Sequence, residues 1–115
     1  MTTPFEKLTH LDRVVHEPIR LAILTALSAC ERSDFRFLQG ITGTTKGNLS
    51  SHLAKLETAG LVEIEKRFVA KKPQTLVRLS GAGREAVASY WTEMAALRKS
   101  AARWRPPQPR LVPSG

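Results

Sequence analysis

Cysteine is almost missing from this chain. Cys30 is the one example among 115 residues, so neither a disulfide framework nor a thiolate metal site can be built. No run of 18 apolar residues occurs, which excludes a membrane-spanning helix. The opening residues Met1-Thr2-Thr3-Pro4-Phe5-Glu6 lack a basic stretch followed by an apolar one. A secretory signal is therefore not expected, and a reducing cytoplasm fits. The phosphate-cradling glycine loop, the nucleophile motif and the paired carboxylates of enzymes are all missing. Ser33 and Ser89 have no evident base partner. His10, His16 and His52 do not share a ligand spacing on any one helix. No internal repeat is present. The expectation is a protein that is not an enzyme and carries no cofactor or metal.

What the chain does have is positive charge. Its formal net charge is +8, and the distribution is uneven. Residues 1–43 balance five Lys/Arg against five Asp/Glu. Residues 44–80 carry seven against three, and residues 81–115 six against two. An excess confined to the second half suits a polyanion, since basic groups release counterions condensed on a phosphate backbone. It equally suits a solvated surface that aids solubility. An apolar fraction of 42% and this length allow one globular domain with a modest core.

Periodicity places the elements. Phe5, Leu8, Leu11, Val14 and Val15 recur at three or four, predicting an amphipathic helix over 5–15. Pro18 suits a first helical position, and Ile19, Ala22, Ile23, Ala26 and Leu27 form the stripe of a central helix, with Leu21 and Leu24 adding a second side. A short strand near Asp34–Arg36 and a two-turn helix holding Phe37, Leu38 and Ile41 follow, closed by Gly40 and Gly43. Thr45 is the expected cap of a helix over Lys46–Ala59, whose inward stripe is Leu49, Leu53 and Leu56. Gly60 stops it. Val62, Ile64 and Phe68 then alternate with charged residues. Ala70–Gln74 reads as a basic turn, and Thr75, Val77 and Leu79 as the return strand. Residues 82–103 form a long helix. A domain over 1–103 and a Pro/Arg-rich flexible tail over 104–115 are expected.

The helix over 46–59 shows the asymmetry that a groove-reading helix needs. Opposite its leucines stand Gly47, Asn48, Ser51 and Lys55, flanked by Lys46, Ser50 and His52. Asn48 can pair bidentately with adenine, and Lys46 or Lys55 can reach guanine or phosphate. Ser51 and the helix N-terminus can donate to phosphate oxygens. Read alone, this is also an ordinary solvated face. The basic hairpin tip, Lys71 and Lys72 with Arg67 and Arg78 beside it, adds a clamp for neighbouring phosphates. The joint occurrence is what carries weight.

The run Thr45-Lys46-Gly47-Asn48-Leu49-Ser50-Ser51-His52-Leu53, then Leu56-Glu57, Ala59-Gly60-Leu61-Val62 and Glu65-Lys66, resembles bacterial and archaeal winged-helix regulators of the MarR and ArsR groups. Pro18-Ile19-Arg20, Lys71-Lys72-Pro73 and Leu79-Ser80-Gly81 resemble their early helix, wing and sheet-to-helix joint, and the likeness covers about residues 5–100. It implies an α+β, mostly helical winged helix-turn-helix with a small antiparallel hairpin and a long C-terminal helix. It implies DNA contacts from Thr45, Lys46, Asn48, Ser50, Ser51, His52 and Lys55, and from Arg67, Lys71 and Lys72 in a wing over 67–78. It implies a homodimer reading half-sites about one helical turn apart. The side of the long helix holding Val87, Tyr90, Trp91, Met94 and Leu97 can pack back on the domain or pair with a second copy. Because the helix extends past what so small a core can cover, these residues, with Phe5, Leu8 and Leu11, are the expected dimer interface. Two departures stand out: Thr44 occupies a usually apolar position, and the cysteine ligands of metal-sensing relatives are missing. A small-molecule effector among the aromatics is left open. Two other readings remain: a docking module that has lost DNA readout, and a non-specific nucleic-acid binder.

Overall fold

The computed structural model describes residues 2–107. Along them run α1 (Pro4–Thr9), α2 (Pro18–Ser28), β1 (Ser33–Asp34), α3 (Phe35–Thr42), α4 (Lys46–Thr58), β2 (Val62–Val69), β3 (Lys72–Leu79) and α5 (Gly81–Arg103). This is the expected α+β winged helix-turn-helix. The three strands form one antiparallel sheet in the order β1-β3-β2.

α1 is shorter than the 5–15 periodicity predicts. The Thr9 hydroxyl donates to the Glu6 carbonyl, and His10 N–H closes a tight turn on Lys7. The Asp12 carboxylate then accepts from Val14 N–H at 2.9 Å, a side-chain turn that competes with helix. Leu11 and Val15 reach the core from this irregular segment instead of from a helix. α2 opens with Pro18 at its first position, as expected, but its cap is Glu17. The carboxylate accepts from Ile19 N–H at 3.1 Å and Arg20 N–H at 2.8 Å. Two otherwise unpaired donors are thereby satisfied. Replacing Glu17 by Ala is expected to cost about 1 kcal/mol, read as a lower urea midpoint at unchanged slope.

α3 and α4 meet at Gly43, whose φ of 65° is the left-handed conformation that glycine adopts without strain. Thr45 caps α4 by accepting from Asn48 N–H at 3.1 Å, as the sequence predicts. Leu49, Leu53 and Leu56 are buried against α2 and the base of the sheet. Each such leucine stabilises the fold by roughly 1.5–3 kcal/mol, so this stripe fixes how α4 is rotated. The opposite side is thereby fixed to face outward.

β2 and β3 pair throughout, from Val62 opposite Leu79 to Val69 opposite Lys72. The turn is tighter than the expected five residues. Only Ala70 and Lys71 form it, with φ of 51° and 66°, the left-handed pair that a two-residue hairpin turn of this hand requires. Pro73 lies on the part of β3 beyond β1, where an open edge tolerates a missing N–H. At the base, Val62, Val77 and Leu79 enter the core. α5 begins at the Ser80 cap and crosses both α2 and α1.

Candidate nucleic-acid interface

Residue spacing on α4 separates three surfaces. Gly47, Ser51, Ala54 and Thr58 lie opposite the buried leucines. All four are exposed, and all are small or short. Ala54 lines two depressions, one on each side. The helix is therefore a ridge with a low crest, free of long side chains that would hold it away from a groove floor.

On one side an open groove of about 1280 Å³ separates α4 from the hairpin. Lys46 and Ser50 of α4, Arg36 and Gln39 of α3, and Lys66, Lys72, Gln74 and Thr75 of the hairpin line it. The acids on this groove are Asp34 and Glu57. Asp34 is engaged as the cap of α3, accepting from Phe37 N–H at 2.7 Å. Four cations thus surround a channel in which one carboxylate, Glu57, is free of an N–H donor from a helix start. Arg67 is not among the lining residues but donates to one of them, Gln74, whose Oε1 lies at 3.3 Å. Lys71 stands in the turn itself. Arg78 is paired with Glu63 at 2.7 Å on the exposed surface, so it adds little net field.

On the other side a shallower depression of about 530 Å³ runs between α4 and the loop before α2. Arg13, Arg20 and Lys55 line it together with Val14, Thr58 and Ala59. Asn48 and His52 fall on this same shoulder by helical spacing. His52 is largely enclosed: its Nδ1 lies 3.1 Å from Arg20 Nη1 and 3.4 Å from Glu17 Oε2. The Arg20 guanidinium is held by two further bonds, from Nε to the Val14 carbonyl at 2.7 Å and from Nη2 to the Arg13 carbonyl at 3.2 Å.

Burial pushes the Glu17 carboxyl up, but the N–H groups of Arg20 and Ile19 and the charges of His52 and Arg20 outweigh it. The carboxyl ends below its ordinary value. Its stabilising contribution is thus present above the unfolded carboxylate range and lost as pH falls through the lowered folded value.

The structure therefore brings Lys46, Ser50 and Lys72 together around one channel and sets Lys55 on the other, with Ser51 on the crest between them. Arg36, Lys66 and Arg13 complete these surfaces and escaped the sequence reading. Lys66 had a signal, since it alternates with Ile64 on one strand face. Arg36 and Arg13 had none, because only the fold carries them to α4.

The expected dimer residues divide. Leu11, Val87, Tyr90 and Leu97 are buried within the chain itself, and Met94 is half-buried against the same core. Tyr90 shares a 2.7 Å hydrogen bond with His16 Nδ1. Phe5, Leu8 and Trp91 remain exposed. Trp104, placed by the sequence in a flexible tail, packs edge-on against Phe5 with ring centroids 5.2 Å apart. Residues 108–115 of that expected tail lie outside the described residues. No helix among the described residues is long and apolar enough to cross a membrane.

Comparison with known proteins agrees with this geometry. An uncharacterized protein of Methanocaldococcus jannaschii is 32% identical over 88 residues, which span 76% of this chain and 96% of that protein. A transcriptional regulator homologue from Pyrococcus horikoshii superposes with a TM-score of 0.77 at 26% identity, over 85% of this chain and 96% of its own. A MarR-family transcriptional regulator from Silicibacter pomeroyi has the same fold, with a TM-score of 0.60 at 22% identity over 93% of this chain and 69% of that one. Residues 19–98 match the family described as the winged helix DNA-binding domain. The chain belongs to that family.

Proposed function

We propose that this protein is a sequence-specific, duplex-DNA-binding transcription regulator that acts as a dimer. One observation carries the reading: α4 is a low-crested ridge between two cation-lined channels. The major groove of B-DNA admits a helix, and a phosphate strand runs along each of its edges. With α4 in the groove, one strand meets Arg36, Lys46, Lys66 and Lys72, and the other meets Arg13 and Lys55. The hairpin tip with Lys71 extends along the backbone. Asn48, on the shoulder at the start of α4, is the side chain best suited to read a base edge, through a bidentate pair with adenine.

The dimer reading is supported by the apolar side chains left uncovered on α1 and α5. Phe5, Leu8 and Trp91 are 45%, 36% and 46% exposed. These uncovered side chains, on two helices that pack against each other, are surface that a second copy would cover. A two-fold pair would present two α4 helices to successive turns of one DNA face.

The deciding experiment is a fluorescence-anisotropy titration at near-physiological salt. It compares DNA upstream of the protein's own gene, and a randomised duplex pool with selection, against a shuffled duplex. A selected sequence bound about a thousandfold more tightly than the shuffled one is the expected result. Equal binding to all sequences would reduce the protein to a non-specific binder. On the selected site, Asn48→Ala is expected to cost about 1–3 kcal/mol and to relax preference at one base position. Unchanged preference at every position would remove Asn48 from the readout.

A further inference from the structure

The cluster of Glu17, Arg20 and His52 joins α4 to the start of α2 and to the loop before it. Its geometry is informative about protons. A guanidinium has donors and no acceptor. Arg20 Nη1, 3.1 Å from His52 Nδ1, can therefore bond it only if Nδ1 offers a lone pair. The neutral ring then carries its proton on Nε2. A second partner waits at the same nitrogen. Glu17 Oε2 stands 3.4 Å from Nδ1, and a carboxylate can only accept. When a proton from solvent binds Nδ1, the new N–H can be donated to Glu17, and the bond from Arg20 Nη1 must be given up.

Arg20 can release that arm without leaving its place. Its Nε and Nη2 stay bound to the carbonyls of Val14 and Arg13. Glu17 Oε2 is also 3.9 Å from the freed Nη1. The cluster thus holds His52 in either protonation state, with one exchange of partner and no loss of the α2 cap. The charged groups at the ring are Arg20 and Glu17, from α2 and its cap, with Arg13 from the loop and Lys55 from α4 lining the depression on the same side; the nearest acid of the loop in sequence is Asp12. Asp12 is already turned to Val14 N–H.

We propose that DNA binding by this chain takes up a proton at His52, with Arg20 and Glu17 as the positioning residues that hold the neutral and the charged ring in turn. The inference rests on the DNA reading above and adds a regulatory property to the same site. A phosphate strand along the Arg13 and Lys55 shoulder favours the imidazolium, so bound protein holds the proton more firmly than free protein. Affinity then rises as pH falls, by up to about tenfold per pH unit where binding takes up one proton, and the salt slope steepens by up to about 0.9 per His52.

The test uses the full chain and the selected duplex between pH 5.5 and 8.5, with wild type, His52→Gln and Arg20→Lys compared. Wild type is expected to bind more tightly in acid, and His52→Gln to show no such change with pH at whatever affinity it has. His10 and His16 are present in both proteins, so a slope that survives in His52→Gln overturns the proposal. So does a wild type that binds DNA with no dependence on pH. Failure of every variant to bind any duplex at any pH would instead sink the DNA reading. A second readout needs no DNA: the ring nitrogens of His52, observed by nitrogen-15 NMR in free wild type. At high pH, Nε2 carrying the proton and Nδ1 bare is the expected result, and in Arg20→Lys the two tautomers mix. A proton on Nδ1 in the neutral wild-type ring would overturn the proposal.

Discussion

Replacing Gly83 by Ala is expected to destabilise the protein by about 3 kcal/mol, near the upper end of what one forced methyl group costs. Gly83 lies in the first turn of α5, where its N–H is bound by the Ser80 cap at 3.0 Å. A Cβ placed there overlaps the carbonyl oxygen of Leu61 and crowds its carbon and a Leu79 methyl. The obstacle is main chain, so no rotamer change relieves it. The same Leu61 carbonyl also accepts from Ser80 N–H at 3.0 Å, which ties the end of α4 and the base of the sheet to the start of α5. For a domain of this size the loss corresponds to a fall in Tm on the order of 15 °C. Gly81 is the control, since a Cβ there meets nothing within 4 Å. A thermal melt in which Gly83→Ala and Gly81→Ala behave alike would refute the close approach.

The largest effect on binding is expected from the hairpin. Changing Lys66, Lys71 and Lys72 together to Ala should weaken all duplexes by roughly a hundredfold at physiological salt. The estimate follows from counterion release: each lost phosphate contact takes about 0.9 from the slope of log K against log salt, so three take about 2.7. On the proposed reading these side chains meet backbone and not base edges, so the ranking of sequences should stay as it was. Arg78→Ala supplies the comparison. Its guanidinium is already paired with Glu63, so removing it should barely move the slope. If the triple variant kept the wild-type slope, the hairpin would not be a phosphate clamp.

Most of the architecture was legible in the sequence because its signals are local. Leu49, Leu53 and Leu56 with Thr45 before them and Gly60 after specify a helix and its buried side. The alternation from Val62 and the return through Val77 and Leu79 specify a hairpin. Where the sequence misled, tertiary packing or side-chain bonding decided. Leu11 and Val15 have helical spacing, yet the Asp12 turn delivers them to the core from irregular chain. Val87, Tyr90 and Leu97 read as part of a dimer interface, since nothing local says that α1 and α2 cross α5 and cover them. The exclusion of longer turns at Ala70-Lys71 was equally hidden, because neither residue is a usual left-handed one.

The site was half legible. Lys46, Ser50, Ser51 and Lys55 sit on one helix and can be found by spacing alone. The two channels could not, since Arg13, Arg36 and Lys66 come from three other segments. Glu17 was missed for a different reason. Glutamate is an uncommon helix cap, and its role became clear only with Arg20 and His52 around it. His52 itself was read as an outward contact, whereas its Nδ1 faces the chain's own ion pair.

The hairpin is anchored at one end only. Val62, Val77 and Leu79 are packed into the core, while every residue from Glu65 to Pro73 stands in solvent. Eight residues of strand reach about 26 Å. Such a shape is a lever with its fulcrum in the core. A tilt of about 10° at the base sweeps the tip through roughly 4 Å over that length, enough to follow a groove that is wider or narrower without repacking a single buried side chain. On the proposed reading, adaptation to DNA shape would therefore reside in the hairpin, while α4, pinned by its three leucines, would keep the register in which bases are read.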